Sequence, residues 1–506
     1  MRTLENTEPP KTVYNAVIAD IRLPLRMLAD QAFSRAAGAP LIVGNKTRIL
    51  KDAMENYSEW LQAIKAAHKR IHFESYIIHG DEIGEMFVGA LAAKAREGVH
   101  VRLIYDWMGA LGAHSRRFWK FLRRNGVEVR CFNRLHVDSP LGWLSRDHRK
   151  TLSIDGQVGF VTGLCVGRYW VGDPQRHIDP WRDTGVMVQG PAVAEIERAF
   201  SEMWSLLGPP VPDNERVLQH EIPVSGKCRL RVVASSPYTA GLYRLDQLIA
   251  AIARRSIWLT DAYFLATAPY IQALSAAAAD GVDVRLLLPG GGDIPIVRSL
   301  SRVGYRPLLE SGVRIFEWNG PMLHAKTAVV DTRWARVGSS NLNIASWLGN
   351  YELDVVVEDQ DFSEKMEQMY LEDLSNATEV VLTSRYRVRV PRRERLRGLR
   401  RRGSAGRAVT SLLRLSNTLG AAVTSRRPLG PAEVIVLATS AALLLCAALI
   451  AAIWPRFISW PFAVCGFWIA VSLLIKAVRL HKKHQASSNG AAHSSTKSAH
   501  PPTFSS

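Results

Sequence analysis

Two stretches of the sequence carry a histidine, a lysine and an aspartate at the same spacing. They are His148-Arg-Lys150 followed by Asp155, and His324-Ala-Lys326 followed by Asp331. Residues two apart on a strand point to the same face, so an imidazole and an ammonium can meet one phosphate group together. One copy of this pattern is a weak signal, because loosely spaced His, Lys and Asp occur on many surface strands. Two copies predict a clamp of two histidines and two lysines around a phosphate.

Histidine is the side chain that suits both parts of a phosphoryl transfer near pH 7. A neutral imidazole can attack phosphorus, while a protonated imidazole gives its proton to the departing alcohol. An incoming alcohol would then run the second step in reverse. The two motifs therefore predict covalent catalysis through a phosphohistidine.

The sequence around the two motifs reads as one unit repeated. In each half a period-2 strand pattern precedes a helical stretch, two further strands, the motif, another strand and another helix. The first half has strand patterns at 71–76, 98–105, 126–132 and 184–189, and the second has them at 258–263, 281–288, 312–316 and 353–358. Chance similarity of two α/β units is the alternative, and the paired motifs argue against it. The pattern predicts a layered α/β fold of two pseudo-twofold-related halves with a site on their axis.

The paired motifs resemble those of the phospholipase D superfamily, and the resemblance covers residues 41–384. The segments that look most like bacterial cardiolipin synthases are Asp147–Lys150, Trp181–Thr184 followed by Gly190–Val193, and Asn350–Leu353. The resemblance implies a phospholipase D-like fold and a phosphatidyltransferase that forms cardiolipin from phosphatidylglycerol and a second phospholipid. One departure is plain, because such synthases carry their membrane spans before the catalytic halves and this chain carries its apolar runs after them.

The resemblance implies a role for each histidine and lysine of the motifs. His148 is the expected nucleophile and His324 the expected general acid and then base, although the two roles could be exchanged. Lys150 and Lys326 are expected to neutralise the phosphate oxygens, whose charge grows in the transition state.

Four carboxylates are expected to support these groups. A catalytic histidine needs its second ring nitrogen tied to a carboxylate that fixes its tautomer. The family pattern places Asp183 and Glu352 there. Asp155 and Asp331 are interpreted as structural supports of the motifs.

A second departure lies inside the expected site. The second motif continues to Gly338-Ser-Ser-Asn341, in which Ser340 and Asn341 are expected to add hydrogen bonds to the phosphate. The first motif continues to Thr162-Gly-Leu-Cys165, which puts a thiol with little hydrogen-bonding capacity where Asn is usual. The first half-site is therefore expected to lack one oxyanion donor. A noncatalytic membrane scaffold is the extreme alternative.

Two uncharged runs near the carboxyl terminus, 434–454 and 457–475, predict a transmembrane helical hairpin. Each approaches the length that a bilayer core of about 30 Å requires at roughly 1.5 Å per residue. Two buried helices of a soluble domain are the alternative. Basic residues flank the pair on both outer sides, which places both flanks in the cytoplasm.

The first 40 residues have no uninterrupted apolar run, so we expect no signal peptide. The expected location is the bacterial inner membrane, with the catalytic halves facing the cytoplasm.

These patterns together give the expected organisation of the chain. It comprises an amino-terminal segment (1–40), two phospholipase D-like halves (41–220 and 221–384), a basic juxtamembrane segment (385–430), two transmembrane helices (431–478) and a disordered cytoplasmic tail (479–506). The tail is rich in Ser, Ala, His and Pro and cannot bury enough apolar surface to offset its chain entropy.

The net charge of +18 favours a polyanionic partner or an anionic surface. The excess is concentrated in residues 385–427, directly before the apolar runs, which favours anionic lipid over nucleic acid. The expected substrates are phospholipids, with phosphatidylglycerol first and phosphatidylethanolamine as a second candidate, and no nucleic acid is expected. A hydrolytic phospholipase D and a nucleic-acid phosphodiesterase are the alternatives. The oligomeric state is not predicted.

The remaining polar residues predict neither a cofactor nor a metal site. Histidines outside the motifs have no metal-ligand spacing, and five scattered cysteines without C-x-x-C spacing indicate a reducing compartment. Gly290-Gly-Gly-Asp293 resembles a phosphate loop only superficially, because it lacks the Gly-Lys-Ser/Thr ending. We interpret it as a strand-to-helix turn.

Overall fold

The computed structural model describes residues 27–112, 116–134, 145–382 and 388–389, together with residue 445 and parts of 460–474. The chain divides into one unit of Met1–Phe132 with Ser145–Thr410 and a second of Asn133–Leu144 with Ser411–Ser506. Nearly all described residues belong to the first unit. The fold below is the fold of that unit.

The first unit is built on a mixed β-sheet with helices packed on it. Its strands are β1 (Ile42–Lys51), β2 (Arg70–Ser75), β3 (His100–Asp106), β4 (Glu128–Phe132), β5 (Lys150–Ile154), β6 (Val158–Thr162), β7 (Thr184–Gln189), β8 (Cys228–Ser235), β9 (Ser256–Thr260), β10 (Asp283–Pro289), β11 (Arg314–Trp318), β12 (Thr327–Val330), β13 (Trp334–Gly338), β14 (Glu352–Val357), β15 (Ala377–Leu382) and β16 (Val388–Arg389). Its helices are α1 (27–37), α2 (Asp52–Ala66), α3 (Glu82–Arg96), α4 (Arg116–Arg124), α5 (Arg168–Val171), α6 (Val193–Leu206), α7 (Gly241–Ile252), α8 (Ala268–Ala279), α9 (Pro295–Ser301), α10 (Tyr305–Glu310) and α11 (Gln360–Ser375). The predicted α/β fold is confirmed.

The strand order repeats on the two sides of the central pair β1–β8. Outward from β1 the order is β7, β6, β5, β2, β3 and β4, and outward from β8 it is β14, β13, β12, β9, β10 and β11, followed by β15 and β16. In each half the last three strands of the common order are parallel to one another, and the others are antiparallel. The repeat in the sequence is thus a repeat in strand order.

The central pair joins the halves through a long-range contact. β1 is antiparallel to β8, with Ile42 opposite Leu230 and Asn45 opposite Cys228. The buried Asn45 side chain accepts a hydrogen bond from the backbone nitrogen of Ala192 at 2.8 Å and donates to the Ile42 carbonyl oxygen at 3.0 Å. One buried apolar cluster contains valines of both halves, among them Val186 of β7 and Val355 of β14. Burial of these β-branched strands on both faces gives the halves a shared core.

The turn after each motif strand carries the motif aspartate in a left-handed conformation. The φ angles of Asp155 and Asp331 are 54° and 51°. Each carboxylate accepts three backbone hydrogen bonds from the start of the neighbouring strand. The donors are His68, Lys69 and Arg70 for Asp155, and Arg254, Arg255 and Ser256 for Asp331, at 2.7 to 2.9 Å. These bonds tie β5 to β2 and β12 to β9.

The predicted membrane hairpin falls almost entirely outside the described residues. So do the predicted basic segment, apart from two residues of β16, and the predicted tail. Within the described part of the chain, no helix has the length and hydropathy of a membrane span.

We predict that Asp331→Ala lowers the free energy of unfolding by about 2–4 kcal/mol. The change removes charge-assisted hydrogen bonds worth about 1.5–3 kcal/mol each when buried, less at this half-exposed turn, and leaves alanine in a left-handed conformation. Asp331→Asn should lose less than half as much, because its oxygen can still accept two of the bonds. Denaturant unfolding followed by circular dichroism gives the values. The control is Asp280→Ala at the exposed end of α8, and an equal loss in both alanine variants would contradict the supporting role of Asp331.

Candidate active site

The two motif histidines lie where the halves meet, directly before β5 and β12. The backbone nitrogen of His148 donates to the carbonyl oxygen of Tyr351 at 2.9 Å, and that of His324 donates to the carbonyl oxygen of Arg182 at 2.7 Å. Tyr351 precedes Glu352, and Arg182 precedes Asp183. Each histidine segment is therefore bonded to the acid-bearing segment of the other half.

The side chains pair crosswise in the same way. Nδ1 of His148 lies 2.9 Å from Oε2 of Glu352, and Nδ1 of His324 lies 2.7 Å from Oδ2 of Asp183. Both carboxylates are fully buried. A ring nitrogen facing a carboxylate carries the proton, so Nε2 of each imidazole is left to react. The sequence names both acids, and the structure adds which histidine each one holds.

Each acid is fixed by further donors, and these differ between the halves. Glu352 accepts from the hydroxyl of Ser339 at 2.6 Å and from the side-chain amide of Asn350 at 3.2 Å. Asp183 accepts from Trp170 Nε1 at 3.1 Å and from the backbone nitrogen of Thr184 at 2.8 Å. Gly163 occupies the position that corresponds to Ser339, and a Cβ there would lie 2.3 Å from Asp183 Oδ1. Only glycine admits this close approach.

Hydrogen bonds from the imidazoles and the positive charges of the lysines keep both acids ionised. Burial alone would raise the pKa of Asp183, but His324 and Lys326 outweigh it and the pKa lies below the usual range. The pKa of Glu352 is lowered against the same effect of burial by His148 and Lys150. Each histidine thus faces a carboxylate rather than a carboxylic acid.

The two motif lysines are buried and lie against their own histidine segments. Nζ of Lys150 donates to the His148 carbonyl oxygen at 2.5 Å. Nζ of Lys326 donates to the His324 carbonyl oxygen and lies 3.0 Å from His324 Nδ1. Burial and the charge of Lys150 together lower the pKa of Lys326 to about 8, although Asp183 opposes both. The two ammonium groups are close enough to repel one another, and an anion between them would relieve that repulsion.

Both imidazoles are neutral near pH 7 in this arrangement. Burial and Lys326 lower the pKa of His324 to about 3, and burial lowers the pKa of His148 although Glu352 opposes it. A neutral imidazole is the form that attacks phosphorus. The negative charge of a bound phosphodiester would raise the pKa of both rings, which is the direction that a general acid requires.

Four aromatic rings surround the histidines, and the sequence analysis assigned none of them a place in the site, although Trp181 begins a segment that carries the resemblance. Tyr76 lies 5.0 Å from the His148 ring, while Tyr263, Trp170 and Trp181 lie 5.9, 5.6 and 5.7 Å from the His324 ring. Tyr76 and Tyr263 end corresponding strand patterns of the two halves. The repeat that revealed the motifs could therefore have revealed these tyrosines as well.

The remaining predicted donors have other contacts. The hydroxyl of Ser340 donates to Asp354. The side-chain oxygen of Asn341 is buried and meets no donor among the residues that the structure describes. Cys165 is buried as well, and burial raises the pKa of its thiol against the charges of Lys150 and Lys326. Near pH 7 the first half therefore presents a neutral thiol at the position of Asn341.

The arrangement supplies two nitrogen nucleophiles and two cations at one place. That set suits attack on a phosphate ester, with one ring as nucleophile and the other as proton carrier. In the described part of the chain, no group of three or more His, Cys, Asp or Glu is placed to hold a metal ion.

Known proteins resemble this chain over the same region. A family model described as cardiolipin synthase, PLD-like domain, matches residues 60–204 and 247–374, which include both motifs. A cardiolipin synthase of Alkalihalophilus pseudofirmus is 33% identical over 345 residues, covering 67% of this chain and 68% of the relative. A cardiolipin synthase A of Pseudomonas fluorescens is 33% identical over 359 residues, covering 69% and 73%.

A solved structure supports the fold. The phosphatidylserine synthase of Haemophilus influenzae Rd KW20 superimposes with a TM-score of 0.53 at 14% identity, covering 69% of this chain and 91% of that one. At this identity the likeness concerns the fold alone. From the matched family model and the relatives together, the chain belongs to the cardiolipin synthase, PLD-like family and is an enzyme of the phospholipase D superfamily.

Proposed function

We propose that this chain is a phosphatidyltransferase that forms cardiolipin from phosphatidylglycerol and a second phospholipid. The observation that carries the proposal is the crosswise pairing of His148 with Glu352 and of His324 with Asp183, because it brings two reactive imidazoles to one place. The relatives named cardiolipin synthase support the choice of substrate.

The first step forms the phosphohistidine. Nε2 of His148 attacks the phosphorus of the donor lipid, the bond to the headgroup oxygen breaks, and His324 gives its proton to that oxygen. Lys150 and Lys326 offset the charge that grows on the nonbridging oxygens. The bound phosphodiester raises the pKa of His324 and so makes its protonated form available.

The second step is the reverse reaction with a new alcohol. A headgroup hydroxyl of phosphatidylglycerol loses its proton to His324 Nε2 and attacks phosphorus, and the bond to His148 breaks. Glu352 and Asp183 keep Nδ1 of both rings protonated, so that Nε2 reacts in each step. Asp155 and Asp331 act on the strands rather than on the phosphate.

A lipid substrate is supported by apolar side chains exposed near the histidines. Ile344 is 57% exposed and follows Asn343, whose side chain donates to the Tyr263 carbonyl oxygen at 2.9 Å. Tyr169 is 50% exposed and stacks on Trp181, 5.5 Å away. Exposed apolar groups of this kind favour a membrane surface. Hydrolysis by water shares the phosphohistidine and is the second candidate, and a nucleic-acid substrate is less supported.

The wider organisation is proposed on the sequence pattern. We propose two halves, 41–220 and 221–384, related by a pseudo-twofold axis through the site, and the repeated strand order supports this. We also propose that 385–430 is a basic juxtamembrane segment and that a hairpin within 431–478 anchors the chain in the bacterial inner membrane, with the tail 479–506 in the cytoplasm. On intact cells, an impermeant thiol reagent should label a cysteine placed at Arg456 and should not label a cysteine placed in the tail. Labelling of the tail alone would reverse the orientation.

We predict that the purified full chain converts phosphatidylglycerol vesicles into cardiolipin and free glycerol. Mass spectrometry of the lipids identifies the product. Phosphatidic acid without cardiolipin would favour the hydrolytic candidate, and no lipid turnover together with cleavage of nucleic acid would overturn both.

We predict that His148→Ala and His324→Ala each abolish transfer but differ in what accumulates. Only the nucleophile can carry a covalent phosphatidyl group, so a rapid denaturing quench should trap an adduct in His324→Ala and none in His148→Ala. The opposite pattern would exchange the two roles. Substantial turnover in either variant would contradict the two-histidine mechanism.

We predict that kcat/KM falls above about pH 8, because Lys326, whose pKa is about 8 in the free enzyme, loses its charge there. Arginine keeps its charge throughout this range. In Lys326→Arg the fall should therefore move by at least one pH unit upward, even if the larger side chain lowers the overall rate. The control is Lys365→Arg on the exposed face of α11. An unmoved alkaline limb in Lys326→Arg would assign that limb to another group.

A further inference from the structure

A carboxylate lies at the rim of the site and takes no part in the mechanism above. The hydroxyl of Tyr263 donates to Asp293, with distances of 3.0 and 2.9 Å to its two carboxylate oxygens. The ring of Tyr263 lies 5.9 Å from the His324 ring and 6.0 Å from Nζ of Lys326. Asp293 is exposed. Tyr263 therefore links Asp293 to the His324 side of the site.

The loop that carries Asp293 is held by close backbone contacts. A Cβ on Gly290 would lie 2.3 Å from the Trp318 carbonyl oxygen, to which the Gly290 backbone nitrogen donates at 3.1 Å. Arg298 donates to the Gly290 carbonyl oxygen at 2.8 Å. The glycines thus let the loop lie against β11, and the loop presents a carboxylate that would repel a phosphate. This is the strand-to-helix turn expected from the sequence, with an added acidic group.

The rim differs between the halves at this position. The strand pattern Gly98–Tyr105 of the first half corresponds to Gly281–Leu288 of the second, so that Ile104 corresponds to Leu287. Six residues beyond Ile104 is Ala110, and six beyond Leu287 is Asp293. The carboxylate therefore stands on the His324 side, which is the side that exchanges the alcohol.

We propose that Asp293, oriented by Tyr263, is a binding site for the vicinal diol of a polyhydroxy alcohol headgroup. The inference rests on the proposed phosphatidyl transfer and names the acceptor that the site selects. One hydroxyl of the diol donates to the Asp293 carboxylate, while the neighbouring hydroxyl gives its proton to Nε2 of His324. The oxygen of that second hydroxyl bonds to phosphorus, the bond from phosphorus to His148 breaks, and the electron pair returns to the His148 nitrogen.

The chemistry of a carboxylate explains the selection. It accepts hydrogen bonds only, and a charge-assisted bond to a hydroxyl is stronger than a neutral one. An alcohol with a single hydroxyl can donate to Asp293 or to Nε2 of His324, but not to both. A site built to bond a hydroxyl discriminates against an analogue that lacks it. By microscopic reversibility, a departing glycerol headgroup passes through the same site.

The test is a competition between two acceptors that differ by one hydroxyl. The full chain, in phosphatidylglycerol vesicles, receives propane-1,2-diol and propan-1-ol at equal concentration, and mass spectrometry gives the ratio of the two phosphatidyl products. We expect Asp293→Asn to lower the diol-to-propanol ratio about tenfold. Tyr263→Phe should lower it about threefold, because it removes only the hydroxyl that orients the carboxylate. The ratio does not depend on the total rate, so partial loss of folded enzyme cancels.

The matched control is Asp361→Asn, another exposed aspartate of the second half, whose ratio should equal that of the unaltered chain. An unchanged ratio in Asp293→Asn, at any overall rate, overturns the proposal. So does loss of all transfer in both Asp293→Asn and Tyr263→Phe, because Asp293 would then serve the chemistry itself. If the unaltered chain yields neither alcohol product and only phosphatidic acid, it is the proposed transferase function that fails.

Discussion

A buried imidazole keeps one tautomer only while a fixed acceptor meets one of its nitrogens, and here each acceptor comes from the other half of the chain. Glu352 holds His148 and Asp183 holds His324. The backbone bonds from His148 to Tyr351 and from His324 to Arg182 repeat the same exchange. Neither half therefore carries a complete histidine pair by itself. The shared apolar core and the β1–β8 contact hold the two halves together, so that each histidine stays beside the acid of the other half.

Burial of the charged groups in the site costs free energy when no substrate is bound, and a bound phosphodiester offsets part of that cost. Two lysines, two histidines and two carboxylates are removed from water together, so that each charge depends on its neighbours. The lowered pKa values of Lys326 and His324 reflect the cost of burying positive charge, because both groups give up protons more readily than in water. A phosphodiester adds one negative charge between the cations and reverses the effect. Binding and proton supply are therefore linked through electrostatics.

Much of the site could be predicted from the sequence, because its signals are local. The spacing of His148 and Lys150, and its repetition at His324, follows from the alternation of side chains along a strand. Local strand and helix patterns likewise gave the order of elements around each motif. The supporting turns at Asp155 and Asp331 were interpreted as structural, and each accepts three backbone hydrogen bonds.

Pairings between strands and side chains that are far apart in the chain could not be predicted from the sequence. β1 and β8 lie at the centre of the sheet but are far apart in the chain, and β1 mixes Asn, Lys, Thr and Arg with apolar residues, so it gives no clear strand period. The crosswise choice of acid depends on how the halves meet. So does the place of Tyr263 and Asp293 beside His324, since a loop and a strand end come together only in the fold.

The crosswise pairing is tested most directly by comparing the step lost in each acid variant with the step lost in each histidine variant. Adduct formation and adduct breakdown are followed by rapid quench in Glu352→Gln and Asp183→Asn, which keep the side-chain shape and remove the charge. Loss of such a partner slows its histidine by about 10- to 100-fold or more. We predict that Glu352→Gln reproduces the defect of His148→Ala and that Asp183→Asn reproduces the defect of His324→Ala. The reverse correspondence, in which each acid matches the histidine of its own half, would contradict the account.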